Sequence, residues 1–197
     1  MTTSPTISAI ERETLDRLRL RLAADAERDG LLDLVYRTVD SPLGTLLVAA
    51  SPAGLLRVAF DSEGHQQVLE ALSDRVSPRI LRAPNRLDEV ARQLDDYFGG
   101  RRRRFALPLD LRLSTGFRQE VLRHLTHIGY GHTESYTQVA AATGRPSAVR
   151  AVGSACATNP VPVVVPCHRV LRSDGSLGGY RGGLPAKRTL LDLESAG

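Results

Sequence analysis

The sequence predicts two folded parts: an α/β N-terminal domain with a small antiparallel sheet and helices, and a mainly α C-terminal domain containing a helix-turn-helix. Three observations predict this. Short apolar runs at 34–39, 45–50 and 55–60 are separated by SPLG at 41–44 and SPAG at 51–54, the pattern of strands joined by tight turns into a meander. Two helix-length patterns follow this meander. Beyond residue 112, short helical patterns punctuated by glycine replace the strand signals. The expected division is an extension over 1–30, the α/β domain over 31–112 and the helical domain over 113–197.

Taken in order, Ile10, Leu15, Leu18, Leu20 and Leu22 recur at helical spacing among many charges over 8–28. They read as a surface helix or a loosely attached extension. Helices are expected at 65–76 and 86–98, the second stopped by Gly99-Gly100. Arg101–Arg104 is a run of four like charges, usually a solvated loop, and 105–111 reads as one more strand. Ser114 is a plausible N-cap for a helix through about Ile128, broken by Gly129 and Gly131. His124 and His127 on or beside it read as surface or packing residues. Ser135-Tyr-Thr-Gln138 has the form of a capping box and opens a helix from Tyr136 to about Thr143. Gly144-Arg145-Pro146 is a turn, and a second helix runs over about 148–157. Two short helices joined by a glycine-containing turn make a helix-turn-helix. Gly153, inside the second, costs about 1 kcal/mol relative to alanine. Close approach of a DNA backbone or of another helix would explain it. Arg150 projects from the same surface.

The chain has 197 residues, 42% of them hydrophobic, enough for a real core. No apolar run approaches the roughly 18–20 residues of a membrane-spanning helix. The N-terminus lacks the apolar stretch of a secretory signal, so a cytoplasmic location is expected. In that compartment two cysteines, 156 and 167, suggest a catalytic thiol rather than a disulfide. No Cys/His cluster has metal spacing, so no metal site is expected. Residues 113–197 hold 9 of the 26 basic residues but 5 of the 22 acidic ones, and so carry the whole net charge of +4. That asymmetry points to a polyanionic partner for the C-terminal half.

The stretch 161–170, VPVVVPCHRV, reads as a buried β-branched strand ending in chemistry. Cys167 beside an imidazole and a guanidinium should have a lowered pKa; the bland alternative is a small, inert core thiol. A stiff connection, Asn159-Pro160-Val161-Pro162, ties the helix-turn-helix to this thiol. An enzyme acting on a nucleotide flipped out of its duplex needs that arrangement.

Residues 135–194, through SYTQVA, AVRAVG, NPVPVVVPCHRV, GSLGGYRGGL and KRTLLDLE, resemble the O6-alkylguanine-DNA alkyltransferases, or methylated-DNA–protein-cysteine methyltransferases. SPLG and YFGG in the first half fit more weakly, and the resemblance covers about residues 33–194. It implies a ribonuclease H-like N-terminal domain and a winged-helix-like C-terminal one. It also implies direct-reversal DNA repair: the protein binds double-stranded DNA through the minor groove, flips out O6-alkylguanine (O4-alkylthymine is a further candidate) and moves the alkyl group irreversibly to its own cysteine, once per molecule. No cofactor is implied.

The resemblance assigns the acceptor to Cys167, the base, working through a water, to His168, and the carboxylate that orients this base to Glu194. Asn159 matches the hinge, Tyr136 the residue that rotates the target phosphate and bonds the guanine, and Arg150 the finger that fills the gap in the base stack. Pro162 and Tyr180 match pocket walls, and the backbones of Val170 and Arg181 match contacts to the guanine edge. Arg181 stands where some members carry serine, and the first half lacks the cysteine and histidine set with which some members bind zinc. A monomer in solution is expected, cooperative binding on DNA being left open. Three rivals fit less well. Alkyltransferase-like binding proteins have tryptophan in the cysteine position, a sequence-reading regulator would offer several base-reading side chains on its second helix, and a Cys-His hydrolase would not explain the helix-turn-helix.

Overall fold

The computed structural model describes residues 32–195 throughout, and before them 14, 17, 18, 21, 25, 26, 28 and 30. The expected helix over 8–28 lies, apart from those single residues, outside the described ones.

Strands β1 (Leu34–Val39), β2 (Leu46–Ser51) and β3 (Gly54–Phe60) form the expected antiparallel meander. A fourth strand, β4 (Ile80–Arg82), pairs parallel with β1, giving the order β3-β2-β1-β4. The sheet is therefore mixed rather than antiparallel. Helix α1 (His65–Arg75) carries the chain from the end of β3 across the sheet, and a crossover of that kind returns the next strand parallel. This three-residue strand, set within the five residues between Pro78 and Pro84, is too short to show a strand pattern in the sequence.

Residues 105–111 do not form the expected strand; one parallel bridge joins Leu109 to Leu55. Pro108 has no N–H to give a ladder, and the buried side chain of Gln93 takes a strand's place, accepting from Ala106 N at 2.8 Å and donating to its carbonyl at 3.2 Å. Gly54 is needed here: at φ +137° a Cβ would sit 2.3 Å from the Pro108 carbonyl oxygen.

Both faces of the sheet are covered, which is why β2 reads as an unbroken apolar run. Val68 and Leu72 of α1 cover Leu47, Ala49, Leu56 and Ala59. A bulge at Leu56, skipped in the pairing of Arg57 with Ala49 and Leu55 with Ala50, lets Leu55 and Val58 share the opposite face. That face packs on α2 (Asp88–Phe98) and continues into the C-terminal helices as one core containing Leu46, Val48, Leu94, Val121, Val152 and Leu190. Arg101 and Arg102 fold back onto Asp95 and Asp96 at the end of α2, as an exposed loop would.

The C-terminal half opens with α3 (Phe117–Leu125), capped by Gly116 at φ +56° rather than by Ser114, and shorter than expected. Ser114 is buried, its N–H donating to Leu111, so the chain is still turning there. Strand β5 (Glu134–Ser135) leads into α4 (Tyr136–Ala142) through the expected capping box: Ser135 Oγ accepts from Gln138 N at 3.2 Å, and Gln138 Oε1 from Ser135 N at 2.6 Å. The turn and α5 (Val149–Ala157) complete the helix-turn-helix. Strand β6 (Val170–Leu171) pairs parallel with β5, and α6 (Gly183–Ser195) closes the chain.

Residues 161–165 are buried as expected but are not a strand. The turn is wound around Asn159, whose side chain accepts from Val161 N at 3.0 Å and donates to the Val165 carbonyl at 2.9 Å. Val165 N in turn donates to Val161 O at 2.9 Å. Buried backbone groups must be paired somewhere, and here the amide of Asn159 replaces a neighbouring strand. Val163 has φ +73°, the only positive value for a non-glycine among the described residues, and a strained position for a β-branched side chain.

Candidate active site

Cys167 begins a single 3₁₀ turn, Cys167–Arg169, and is 2% exposed. Its Sγ lies 3.1 Å from Asn159 Nδ2, so the amide that winds the preceding turn also donates to the sulfur. Burial pushes the thiol up to about 11, against the lowering effects of the Asn159 hydrogen bond, then Lys187 and Arg181. The sequence expectation of a lowered pKa is therefore corrected. A 3₁₀ turn spreads successive side chains about 120° apart, and neither His168 nor Arg169 hydrogen-bonds the sulfur they follow. The charge facing the thiol comes from Lys187, distant in sequence.

His168 and Arg169 meet instead on Glu194, whose carboxylate accepts five hydrogen bonds: from His168 Nε2 (2.9 Å), Tyr97 Oη (2.6 Å), Arg169 Nε and Nη2 (2.8 Å each) and Gly131 N (3.2 Å). Burial alone would raise the pKa of Glu194. The hydrogen bonds from His168 and Arg169 hold it well below the usual carboxylate range. Burial lowers the pKa of His168, so the ring is neutral at pH 7. Nε2 must donate to the carboxylate, which leaves the Nδ1 lone pair free, and Nδ1 is buried with no partner in the protein. A neutral imidazole held in this tautomer is a poised base.

The other expected site residues fall into two groups. Tyr136, Arg150, Tyr180 and Arg181 line a cavity of about 560 Å³ together with Gly153 and Arg172. Tyr180 sets its ring edge-on to His168, at 6.4 Å between centroids. Tyr136 is within electrostatic reach of Cys167, and burial pushes its hydroxyl up to about 12. Pro162 and Val170 are buried in the turn and behind it, and do not line the cavity. A Cβ on Gly153 would meet nothing within 4 Å, so helix–helix packing does not account for that glycine.

Tyr97, Arg169, Lys187 and Glu63 were not singled out as site residues in the sequence. Tyr97 reaches in from the N-terminal half, and only its place just before Gly99-Gly100 hinted at it. Glu63 binds both Arg57 and Arg181, tying the cavity wall to the end of β3. Among the described residues no group of His, Cys, Asp and Glu could hold a metal ion, and no helix is long and apolar enough to cross a membrane. Asn159→Ala would leave Val161 N buried and unpaired and would take one of its two donors from Val165 O, which keeps Cys167 N at 2.8 Å. Thermal melting is expected to show a loss of about 1–3 kcal/mol.

A helix-turn-helix with an exposed arginine, backed by a buried thiol and a neutral histidine held on an ionised carboxylate, fits a class: DNA-binding proteins that take a group onto a cysteine. Residues 34–111 match the family described as 6-O-methylguanine DNA methyltransferase, ribonuclease-like domain, and residues 116–196 match its DNA binding domain. The methylated-DNA–protein-cysteine methyltransferase of Mycobacterium tuberculosis is 39% identical over 161 residues, covering 82% of this chain and 92% of the relative. The constitutive enzyme of Bacillus subtilis is 39% identical over 160 residues, 81% of this chain and 94% of its own. The crystal structure of Mycobacterium tuberculosis OGT in complex with DNA superposes with a TM-score of 0.71 at 38% identity, over 82% of this chain and 93% of that one. The chain belongs to the 6-O-methylguanine DNA methyltransferase family. It is a DNA-repair methyltransferase, and DNA is its partner.

Proposed function

We propose that Cys167 accepts the alkyl group of O6-alkylguanine flipped out of duplex DNA. His168 takes the thiol proton through one water. The Sγ–C bond forms as the C–O6 bond breaks, and the electron pair stays on guanine, which then takes up a proton. Glu194 fixes the tautomer of His168 and stabilises its cationic form, in the manner of the third member of a nucleophile–base–carboxylate set. Asn159 holds the turn and the sulfur. Tyr136 bonds the extruded nucleotide, Tyr180 walls it, and the backbone of Arg181 takes its edge. Because the product is a thioether, each molecule acts once.

The observation that carries this reading is the buried His168–Glu194 pair with its unpartnered Nδ1, one residue from the free thiol. On the DNA side, support comes from the exposed Arg150, the open space over Gly153 and the basic excess of residues 113–197. A helix surface with one long side chain suits sequence-tolerant scanning of the minor groove. The protein acts as a cytoplasmic monomer, with the site carried by residues 113–197 and supported by 31–112.

The test is stoichiometry. With excess duplex holding one O6-methylguanine, restored guanine should stop at one per protein molecule; continued turnover would overturn the reading. Arg150→Ala should slow repair of the duplex by about tenfold or more, with little change on the free alkylated base, because it removes the group that replaces the flipped nucleotide. Equal losses on both substrates would count against the finger role.

A further inference from the structure

Lys187, on the inner face of α6, is completely buried. Its Nζ donates to the Val170 carbonyl at 2.6 Å, and among the described residues it makes no ion pair. Glu194, the buried carboxylate two turns further along the same face of α6, is occupied by His168, Arg169, Tyr97 and Gly131. A buried ammonium with only a neutral carbonyl for company costs several kcal/mol, so the position calls for a compensating anion. Two thiols that become anions on ionisation, Cys167 and Cys156, lie in electrostatic reach of Lys187, and His168, a cation only when protonated, lies in the same reach. Cys156, on α5, is held by burial far above the usual thiol range, and Cys167 less so.

We propose that Lys187 is the counter-charge of the Cys167 thiolate, a positioning residue that favours ionisation of the acceptor sulfur before attack. The inference rests on Cys167 being the acceptor. When the thiol proton leaves for His168, the thiolate and the ammonium form a buried pair of no net charge. When the Sγ–C bond has formed, the sulfur is neutral again and Lys187 has lost its partner. The other groups around the sulfur do not take this role. Tyr136 of α4 and Tyr180 are neutral, and His168 and Arg169 are bound to Glu194. Arg181 is already paired with Glu63, with its side chain 32% exposed, so that carboxylate and solvent screen it.

The test is the pH dependence of single-turnover methyl transfer in the wild type, Lys187→Met and Lys187→Arg. The reactive form is the thiolate, so removing a nearby cation raises the pH at which it forms. In Lys187→Met the acid limb is expected to move up by about one pH unit, a tenfold slower transfer below the limb. Lys187→Arg, which keeps the charge, should bring the limb back. A structural role alone would change the plateau or the half-saturating DNA concentration and leave the limb in place, and that result would overturn the proposal.

If Lys187→Met fails to fold, the wild type decides. The Cε resonance of Lys187, followed by NMR against pH, should titrate at lower pH after Cys167 is alkylated; an unchanged titration would overturn the proposal. Peptide mapping of the same samples separates the two readings, since methyl found on a residue other than Cys167 would sink the acceptor assignment itself.

Discussion

Cys167→Ala is expected to abolish methyl transfer and to leave duplex binding unchanged within about twofold. The reaction needs a sulfur electron pair at this position, and the other thiol, Cys156, is buried in the core with Val152 and Ala155 of its own helix, its ionisation opposed by burial. Arg150, Gly153 and Tyr136, the residues proposed to meet DNA, make no hydrogen bond to the sulfur, so binding should survive. Stability should change by only about 1 kcal/mol, because Asn159 Nδ2 keeps its bond to the Val165 carbonyl when the contact to sulfur is lost. Rapid-quench assays of transfer and gel-shift measurements of binding check the two halves. Transfer surviving the substitution would remove Cys167 from the mechanism.

Glu194→Ala is expected to have the second large effect, on stability and chemistry together. It leaves the buried guanidinium of Arg169 uncompensated and strips acceptors from Tyr97, His168 and Gly131. Breaking a buried pair from one side costs about 3–5 kcal/mol. For a chain of this size that corresponds to a fall in Tm of about 6–20 °C. In the fraction that folds, His168 loses the partner that fixes its tautomer, and transfer should slow by about 10²–10⁴-fold. Glu194→Gln keeps the shape but not the charge and should fall between the two proteins in both measurements.

The same carboxylate sets a pH dependence. Its pKa in the folded protein is depressed below the ordinary 4.5. Its contribution to stability is therefore complete above about pH 4.5 and is lost as pH falls from there towards the depressed value. Acid denaturation should accordingly begin at higher pH in a variant whose other contacts to Glu194 are weakened, such as Tyr97→Phe.

Elements that depend on neighbours in sequence were legible before the structure. The meander shows in its SP-G turns and the helix-turn-helix in the Ser135–Gln138 capping box; the place of Glu194 beside His168 was expected only through the family resemblance of the KRTLLDLE segment. Elements that depend on neighbours in space were not. The run at 161–165 has a strand's composition, yet Asn159 satisfies its backbone and Val163 bends it. Periodicity cannot see a side chain six residues back taking the place of a strand. The thiol's environment was misread for the same reason: His168 and Arg169 adjoin Cys167 in the chain but are directed to Glu194 by the 3₁₀ turn. Lys187 and Tyr97, which reach this centre from α6 and α2, read in the sequence as ordinary helical residues, with only the place of Tyr97 just before Gly99-Gly100 as a hint.

The central claim is that one buried sulfur, Cys167, becomes the alkyl carrier. Intact-protein mass spectrometry, after incubation with a duplex holding a single O6-methylguanine, tests it most directly. The account predicts a gain of about one methylene per molecule, located on the peptide containing Cys167 and on no other. An unchanged mass with tight duplex binding, or a methyl group located on Cys156, would contradict it.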